Sequence, residues 1–471
     1  MIEKKFSRRD FIKSSGAFAG FAAFSVVNLN RYQKTEEDSM RPSGEKNIII
    51  KKTDSNFERE PLIRPFGFKG IYQKEFWVSA ALLESGAGTR HVGLMTQCLA
   101  WSDLDVFLAH SEAGGNLLLH ATLEHALQQI KGESFKNPIE LQNAILQTSH
   151  DYGKKITENN NLRMTFTLSA LVALDNAAWM VYAEENGYKN FDQMIPQEYR
   201  PALSHRHQKV AHIPLLSYNV PLDEIREAVD QGYFFMKIKI GRPGTQEEML
   251  EGDKARIEAI HNLIGHLETP YTANGKIPYY FDANGRYEKK ETLQRLLEHA
   301  GKVGMLDQIA IIEEPFPEDA DIDVSDLGVR IAADESAHTA EDVLSRIDMG
   351  YGAIALKAAA KTLSMTLKMA KAAYEKNIPC FLADLTCTPI LVDWNKNIAA
   401  RLAPFPGIND MGLMESNGHQ NYVHWKELIS YHPYPEGSWI HSRQGIYEIN
   451  EDFYVKSAGI LKSSQHYLQL F

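Results

Sequence analysis

Cysteine is scarce in this chain: three in 471 residues, Cys98, Cys380 and Cys387. Three scattered thiols cannot supply a disulfide framework, so a hydrophobic core must hold the fold. At 471 residues the chain can bury a large one and divide into two or three domains. An excess of positive charge is also missing. The formal net charge of −11 argues against nucleic acid or an anionic membrane surface as the main partner. No G-x-G-x-x-G or G-x-x-x-x-G-K-[ST] opens a helical stretch, which disfavours the nucleotide-binding folds. The seventeen histidines are scattered, and none is read as paired at a metal-ligand spacing such as H-E-x-x-H. What remains is ordinary for a soluble globular protein, 44% apolar and 24% charged.

The first thirty residues differ in kind. Ser7-Arg8-Arg9-Asp10-Phe11-Ile12-Lys13 precedes a small and apolar run from Ser14 to Val27 that is too short for a membrane span. The segment resembles a twin-arginine export signal. That resemblance implies a periplasmic protein exported already folded, with any metal loaded beforehand, and it accommodates the low cysteine count. No A-x-A cleavage site follows, so a retained N-terminal anchor is the alternative. Residues 31–56 are polar and charged and read as a disordered linker.

Residues 57–210 carry an α+β pattern whose clearest element is a helix from Thr165 to Glu185, apolar on most of its circumference and ended near Gly187. Asp175 within it reads as a helix–helix hydrogen-bonding residue. From 211 to 435 apolar strand candidates alternate with helical stretches, giving about eight strands. That repetition predicts a parallel sheet closed into a (β/α)-barrel. Residues 436–471 lack the barrel period and are expected to pack against the N-terminal domain.

The stretch Tyr233–Gly241 is a short apolar strand with Lys237 and Lys239 inside it. A side-chain period of two puts both ammonium groups on one face, where burial requires something anionic opposite. Downstream strand ends supply it: Asp282 with Asn284, Glu313 in Ile-Ile-Glu-Glu-Pro, and Asp334 with Glu335 in Asp-Glu-Ser. Another lysine, Lys357, ends the next strand. In a barrel such ends converge on one site, here a hard-cation site with bases beside it.

The set K-x-K, D-x-N, E-x-P, D-E-S and a lone strand-end lysine, with Ala-Leu-Asp-Asn-Ala-Ala-Trp179, resembles the enolase superfamily in its muconate-lactonizing-enzyme-like branch. Met180 stands where that family usually has an acid. The resemblance implies an N-terminal α+β capping domain, completed by the C-terminal segment, over a (β/α)7β barrel. It implies one Mg2+ held by Asp282, Glu313 and Asp334, with Asn284 and Glu335 supporting them. Glu313 is preferred to Glu314 because the family's ligand stands two residues before the proline. Strand alternation agrees, since neighbouring side chains point oppositely. Cys380–Leu385 holds no histidine of the mandelate-racemase type. The implied bases are therefore Lys239 and Lys357 on opposite faces of the substrate, with Lys237 the cation on its carboxylate.

Two bases suit racemisation or epimerisation of an amino-acid derivative or dipeptide-like acid through an enediolate. An acid-sugar dehydratase or a cycloisomerase shares that intermediate, and an exported carboxylate-binding protein without turnover is the non-enzyme alternative. Arg90, beside Thr89 and His91, with Asp384, Thr386, Glu415 and Asn417, are the expected substrate contacts. The dipeptide epimerases of this branch typically carry Asp-x-Asp where this chain has Glu415-Ser-Asn417. A homo-oligomer is expected.

Overall fold

The computed structural model describes residues 45–471. The twin-arginine-like segment and residues 31–44 lie outside the described residues.

The chain begins with a four-stranded antiparallel sheet in the order β3-β2-β1-β4. Its strands are β1 (Ile48–Phe68), β2 (Ile71–Ser85), β3 (Arg90–Gln97) and β4 (Ser134–Phe135). Residues 48–56, read from sequence as linker, are therefore strand. Ile48 and Ile50 are buried, and Ile48 pairs with Phe135 while Ile50 pairs with Ser85. The lysines and acids that looked like disorder are largely the solvent face of this strand. Between Pro61 and Phe66 the β1–β2 register shifts, since four residues on β1 oppose one on β2. Such a bulge bends a ribbon. Here the displaced stretch docks on the loop after the barrel's last strand, with the Val423 amide donating to the Pro61 carbonyl at 3.1 Å.

The helix Met164–Asn186 is buried nearly all round, and Gly187 closes it at φ 74°. It is long and apolar enough to cross a membrane, but 94% of that window is buried inside the fold. One side lies against β3, where Gly93 is required: a Cβ there would stand 2.1 Å from the Ala173 carbonyl oxygen. The other side meets the barrel. Asp175 accepts from the Ser364 amide at 3.1 Å and from its hydroxyl, capping the barrel helix Leu363–Glu375, and Trp179 Nε1 donates to Ser364 Oγ at 3.1 Å. Asp175 is thus the joint between the two domains, as its helix–helix reading anticipates.

The barrel strands are β5 (Lys209–Ile213), β6 (Leu215–Leu216), β7 (Met236–Lys239), β8 (Tyr279–Asp282), β9 (Ile309–Glu313), β10 (Ile331–Ala333), β11 (Ala353–Leu356), β12 (Cys380–Leu382) and β13 (Gly412–Glu415). Adjacent staves run parallel from β6 to β13, and β13 pairs with β5. β5 and β6 are one stave interrupted at Pro214, which lacks the donor a continuous ladder needs. The ring therefore closes on eight staves. Among the described residues, helices follow most staves, but none links β9 to β10. The C-terminal segment does two jobs. β14 (Ile446–Glu448) adds antiparallel to β5, so this part of the segment expected to pack on the cap lies on the barrel. The remainder returns to the cap, where His466 Nε2 meets Glu58 at 2.9 Å and Asn56 Nδ2 donates to the Leu470 carbonyl at 3.0 Å.

Burial pushes the Asp175 carboxyl up to about 7 against the opposing hydrogen bonds from Ser364. The stability its protonated form contributes is fully present below the ordinary carboxylate range and is lost as pH rises through about 7. Urea denaturation of the wild type and Asp175→Asn across pH 4–9 should show this slope in the wild type alone. Parallel pH profiles would contradict the assignment.

Candidate active site

The residues singled out at strand ends meet at the C-terminal mouth of the barrel. Lys237 and Lys239 do lie on one face, and both ammonium groups reach Asp282 Oδ2, at 2.9 and 2.6 Å. Lys237 Nζ also lies 2.7 Å from Glu313 Oε1 and 3.2 Å from Glu415 Oε2. On the far side, Lys357 Nζ donates to Asp334 Oδ2 at 2.6 Å. Lys361, one helical turn on, donates to Asp334 Oδ1 at 3.1 Å and to the Asp334 carbonyl at 2.8 Å. Glu313 also accepts from the Tyr280 hydroxyl. Asn284 donates to Glu335 Oε1 at 2.9 Å and accepts from Lys239.

These are buried charges: Asp282, Glu313 and Lys361 are 0% exposed, and Asp334, Lys237 and Lys357 no more than 3%. Burial opposes the charged form of every one. It pushes Glu313 well above the carboxylate range, and neighbouring Asp282 and Asp334 add to that while Lys237 opposes it. For Asp282 and Asp334 the lysines outweigh burial and hold the carboxyls below their usual range. Lys237 and Lys357 are raised above the usual lysine range, because their carboxylates outweigh burial, whereas burial lowers Lys361 despite Asp334.

The two adjacent glutamates separate as alternation predicts. Glu313 points into the lysine cluster, while Glu314 turns back to accept from the Asp334 amide at 2.8 Å and the Ser336 amide at 3.2 Å. Glu314 thereby fixes the end of β10. Backbone strain gathers here as well: Asn284 (φ 44°), Glu314 (φ 41°) and Thr386 (φ 56°) are positive-φ non-glycine residues just beyond strand ends, and Thr362 (φ 67°) is another between two helices.

Three carboxylates bring their oxygens within 4.8 Å of one another: Glu313 from the end of β9, and Asp334 and Glu335 just beyond β10. Glu335 Oε2 is buried without a hydrogen-bond partner. Asp282 pairs across β8–β9 with Glu313 and shares Lys237 with it, though its oxygens face the two K-x-K lysines. The donor set is entirely oxygen, which suits a hard divalent cation such as Mg2+. Glu335, read as a supporting residue, stands closer to that cluster than Asp282 does.

A cavity of about 40 Å³ lies over these groups, lined by Lys237, Lys239, Asp282, Asp334, Lys357, Asp384, Thr386, Glu415 and Asn417. It has room for an ion and little more. Phe66 and Phe68 close it from the β1–β2 hairpin, together with Cys98 and Trp101. Burial pushes the Cys98 thiol up to about 12, so it offers no thiolate. Arg90 is not here: it is exposed, and its guanidinium donates to the Phe471 carbonyl at 3.0 Å. His91 is likewise occupied elsewhere, with Ser463 and Glu184. The Ser-Gly-Ala-Gly turn before them sits at the remote end of the cap, and the hairpin that reaches the barrel is Phe66–Ile71. Asp384 and Glu415 line the cavity with their oxygens engaged. Asp384 accepts from the Asn417 amide at 2.7 Å and the Cys387 amide at 3.2 Å, and Glu415 accepts from Lys237 and the Asp384 amide.

Residues 222–431 match the family model described as Enolase C-terminal domain-like. That match lies over the barrel, where the chain is similar to the enolase superfamily. Solved structures share the fold at low identity. A mandelate racemase/muconate lactonizing protein from Herpetosiphon aurantiacus superposes with TM-score 0.61 at 16% identity, covering 85% of this chain and 96% of that one. An enolase superfamily member from Listeria innocua gives 0.60 at 18%, over 89% and 96%. The dipeptide epimerase from Enterococcus faecalis V583, complexed with Mg and the dipeptide L-Leu-L-Tyr, gives 0.54 at 19%, over 78% and 90%. No curated protein matches the chain. As in the wider superfamily reading, the strand-end lysines and acids fall together. Trp101 and Lys361 were not anticipated, yet the spacing Lys357-Ala-Ala-Ala-Lys361 places two ammonium groups on one helical face and could have signalled the second.

With Lys237 and Lys357 protonated against these carboxylates, an entering cation must displace ammonium charge. Mg2+ binding should release protons and tighten as pH rises. Calorimetry in buffers of differing ionisation enthalpy would show this, and Asp334→Asn should abolish the heat; binding without proton release would contradict the pairing.

Proposed function

We propose that this chain abstracts and returns the α-proton of a carboxylate substrate, acting as a divalent-cation-dependent racemase or epimerase. The observation that carries the reading is the position of the two lysines around the ring. Lys239 ends β7, the second of eight staves, and Lys357 follows β11, the sixth, so they lie across the barrel from one another. The acids Asp282, Glu313 and Asp334 fill the arc between them. A planar carbon held over that arc presents one face to each amine. Lysine or histidine with Mg2+ is the base pairing general to this superfamily.

A bound Mg2+ would supply electrostatic stabilisation of the second negative charge that develops on the substrate carboxylate. Glu313, Asp334 and Glu335, with Asp282 beside them, are the residues that would hold it. Everything else falls to the protein's own groups. Lys237 lies among the acids, where it can meet a substrate carboxylate oxygen. Exchange between two faces needs one amine neutral and the other protonated at the same time. Lys357, held protonated by Asp334, is ready to deliver a proton, and Lys239 is assigned the opposite task. A cation near either amine disfavours its charged form.

The cavity is too small for an amino-acid derivative, so the aromatic hairpin must lift. Phe66 and Leu215 also line a neighbouring cavity of about 350 Å³, with Leu216, Val220 and Tyr233 on its wall. Turning Phe66 aside joins the two spaces. The wall mixes apolar residues with Arg64, Glu224, Gln231 and His419, but Asp384 and Glu415 at the mouth are already engaged, so an N-acyl amino acid fits better than a dipeptide whose ammonium needs a free acid there. Dehydration and cycloisomerisation would use the same groups, and a keto acid or a lactone would reveal them. An exported binding protein would have no use for the second lysine.

Incubating the Mg2+-loaded protein in D2O with N-acyl amino acids, dipeptides and sugar acids tests this by proton NMR. The expected result is loss of the α-proton signal from both enantiomers of an N-acyl amino acid. Lys239→Ala and Lys357→Ala should each slow exchange from one enantiomer by about 10²–10⁴-fold. Tight binding without exchange of any acid would overturn the proposal in favour of a binding protein.

A further inference from the structure

We propose that His205, His207 and Asp410 form a second metal site, for a transition-metal ion of the Zn2+ class, at the end of the barrel opposite the lysine–carboxylate cluster. The histidines occupy the run just before β5, and Asp410 stands two residues before β13. β5 and β13 are parallel neighbours, with Val210 opposite Gly412. Both arms therefore approach from strand N-termini, whereas Asp282, Glu313 and Asp334 stand at strand C-termini.

The geometry converges on one carboxylate oxygen. Asp410 Oδ1 lies 2.9 Å from His205 Nε2 and 3.4 Å from His207 Nδ1. The two imidazole centroids are 4.1 Å apart, and the three ligand atoms lie within 4.8 Å of one another. The H-x-H spacing, passed over when the histidines were read as scattered, suits this, because alternate side chains of an extended chain share a side.

His207 gives the argument its direction. It is 1% exposed, and its Nε2 donates to the Leu402 carbonyl at 2.9 Å. That bond makes Nε2 the protonated nitrogen of the neutral ring and leaves Nδ1 a lone pair. Nδ1 is buried without a hydrogen-bond partner and faces the Asp410 carboxylate. A buried lone pair turned toward a carboxylate that also meets His205 at 2.9 Å is a place for a cation between them. An outer ring N–H given to a backbone carbonyl is also how metal-binding imidazoles are usually oriented.

The donor types choose the ion. Two imidazole nitrogens and one carboxylate oxygen suit Zn2+ and its neighbours, whereas Mg2+ prefers oxygen throughout. Half-exposed His205 and exposed Asp410 leave solvent a place in the coordination sphere. An ion here would tie the start of the first stave to the start of the last, across the seam where the barrel closes.

His205→Ala and Asp410→Asn are surface substitutions that should leave the fold intact. The full chain, first saturated with Mg2+, would be titrated with Zn2+ by calorimetry and followed by thermal denaturation. One equivalent of Zn2+ should bind the wild type and raise its Tm, and each variant should bind it at least tenfold more weakly with the Tm gain lost. α-Proton exchange should be the same in all three. Equal Zn2+ binding by wild type and variants, no binding at all, or Zn2+ binding that Mg2+ removes would each overturn the site.

Discussion

Burying four ammonium groups and four carboxylates in one barrel mouth is possible only if opposite signs touch. Lys237 faces Asp282 and Glu313, Lys239 faces Asp282, and Lys357 and Lys361 face Asp334. Glu335 and the neighbouring Glu314 each keep one buried oxygen without a hydrogen-bond partner. Removing either partner from such a pair strands a charge in a medium that cannot solvate it, at a cost of about 3–5 kcal/mol. The same matching makes the site responsive. A divalent ion held among the acids would take over the work of two ammonium groups, and the amines it relieved would become able to exchange protons.

The surrounding fold serves that cluster. Parallel staves bring strand ends to one face, and the acids follow one another at the ends of β8, β9 and β10. Positive φ at Asn284, Glu314, Thr362 and Thr386 turns the chain sharply away after the functional residues, and Glu314 spends its carboxylate on the β10 terminus. The cap is fixed through Asp175 on Ser364, while the register shift after Pro61 bends its hairpin until Phe66 and Phe68 cover the mouth. One end of the cap is locked to the barrel, and the other is a short aromatic flap.

Much of this was legible in the residues because a strand has a fixed side-chain period. Lys237 and Lys239 had to share a face, Glu313 and Glu314 had to diverge, and Gly412–Glu415 reads as a strand with the limits the structure gives it. Contacts that depend on how separate elements dock were not legible. Arg90 follows a glycine-rich turn resembling an active-site loop, but which hairpin of the cap meets the barrel is set by tertiary packing. The polar look of residues 48–56 hid a strand whose buried face holds only Ile48, Ile50 and Thr53. Trp101, set 4.2 Å over Lys357, comes from a short helix with no motif of its own. His205 and His207 lacked meaning until the fold brought Asp410 to them.

The account rests on a divalent ion held between acids of adjacent staves with an amine at each side. Anomalous diffraction from crystals soaked in Mn2+, a scattering substitute for Mg2+, locates that ion directly. The predicted result is one peak about 2.0–2.4 Å from oxygens of Glu313 and Asp334, with Lys239 and Lys357 on opposite sides of the space above it. A peak elsewhere, or those lysines still clasped to Asp282 and Asp334 around an ion-free centre, would contradict it.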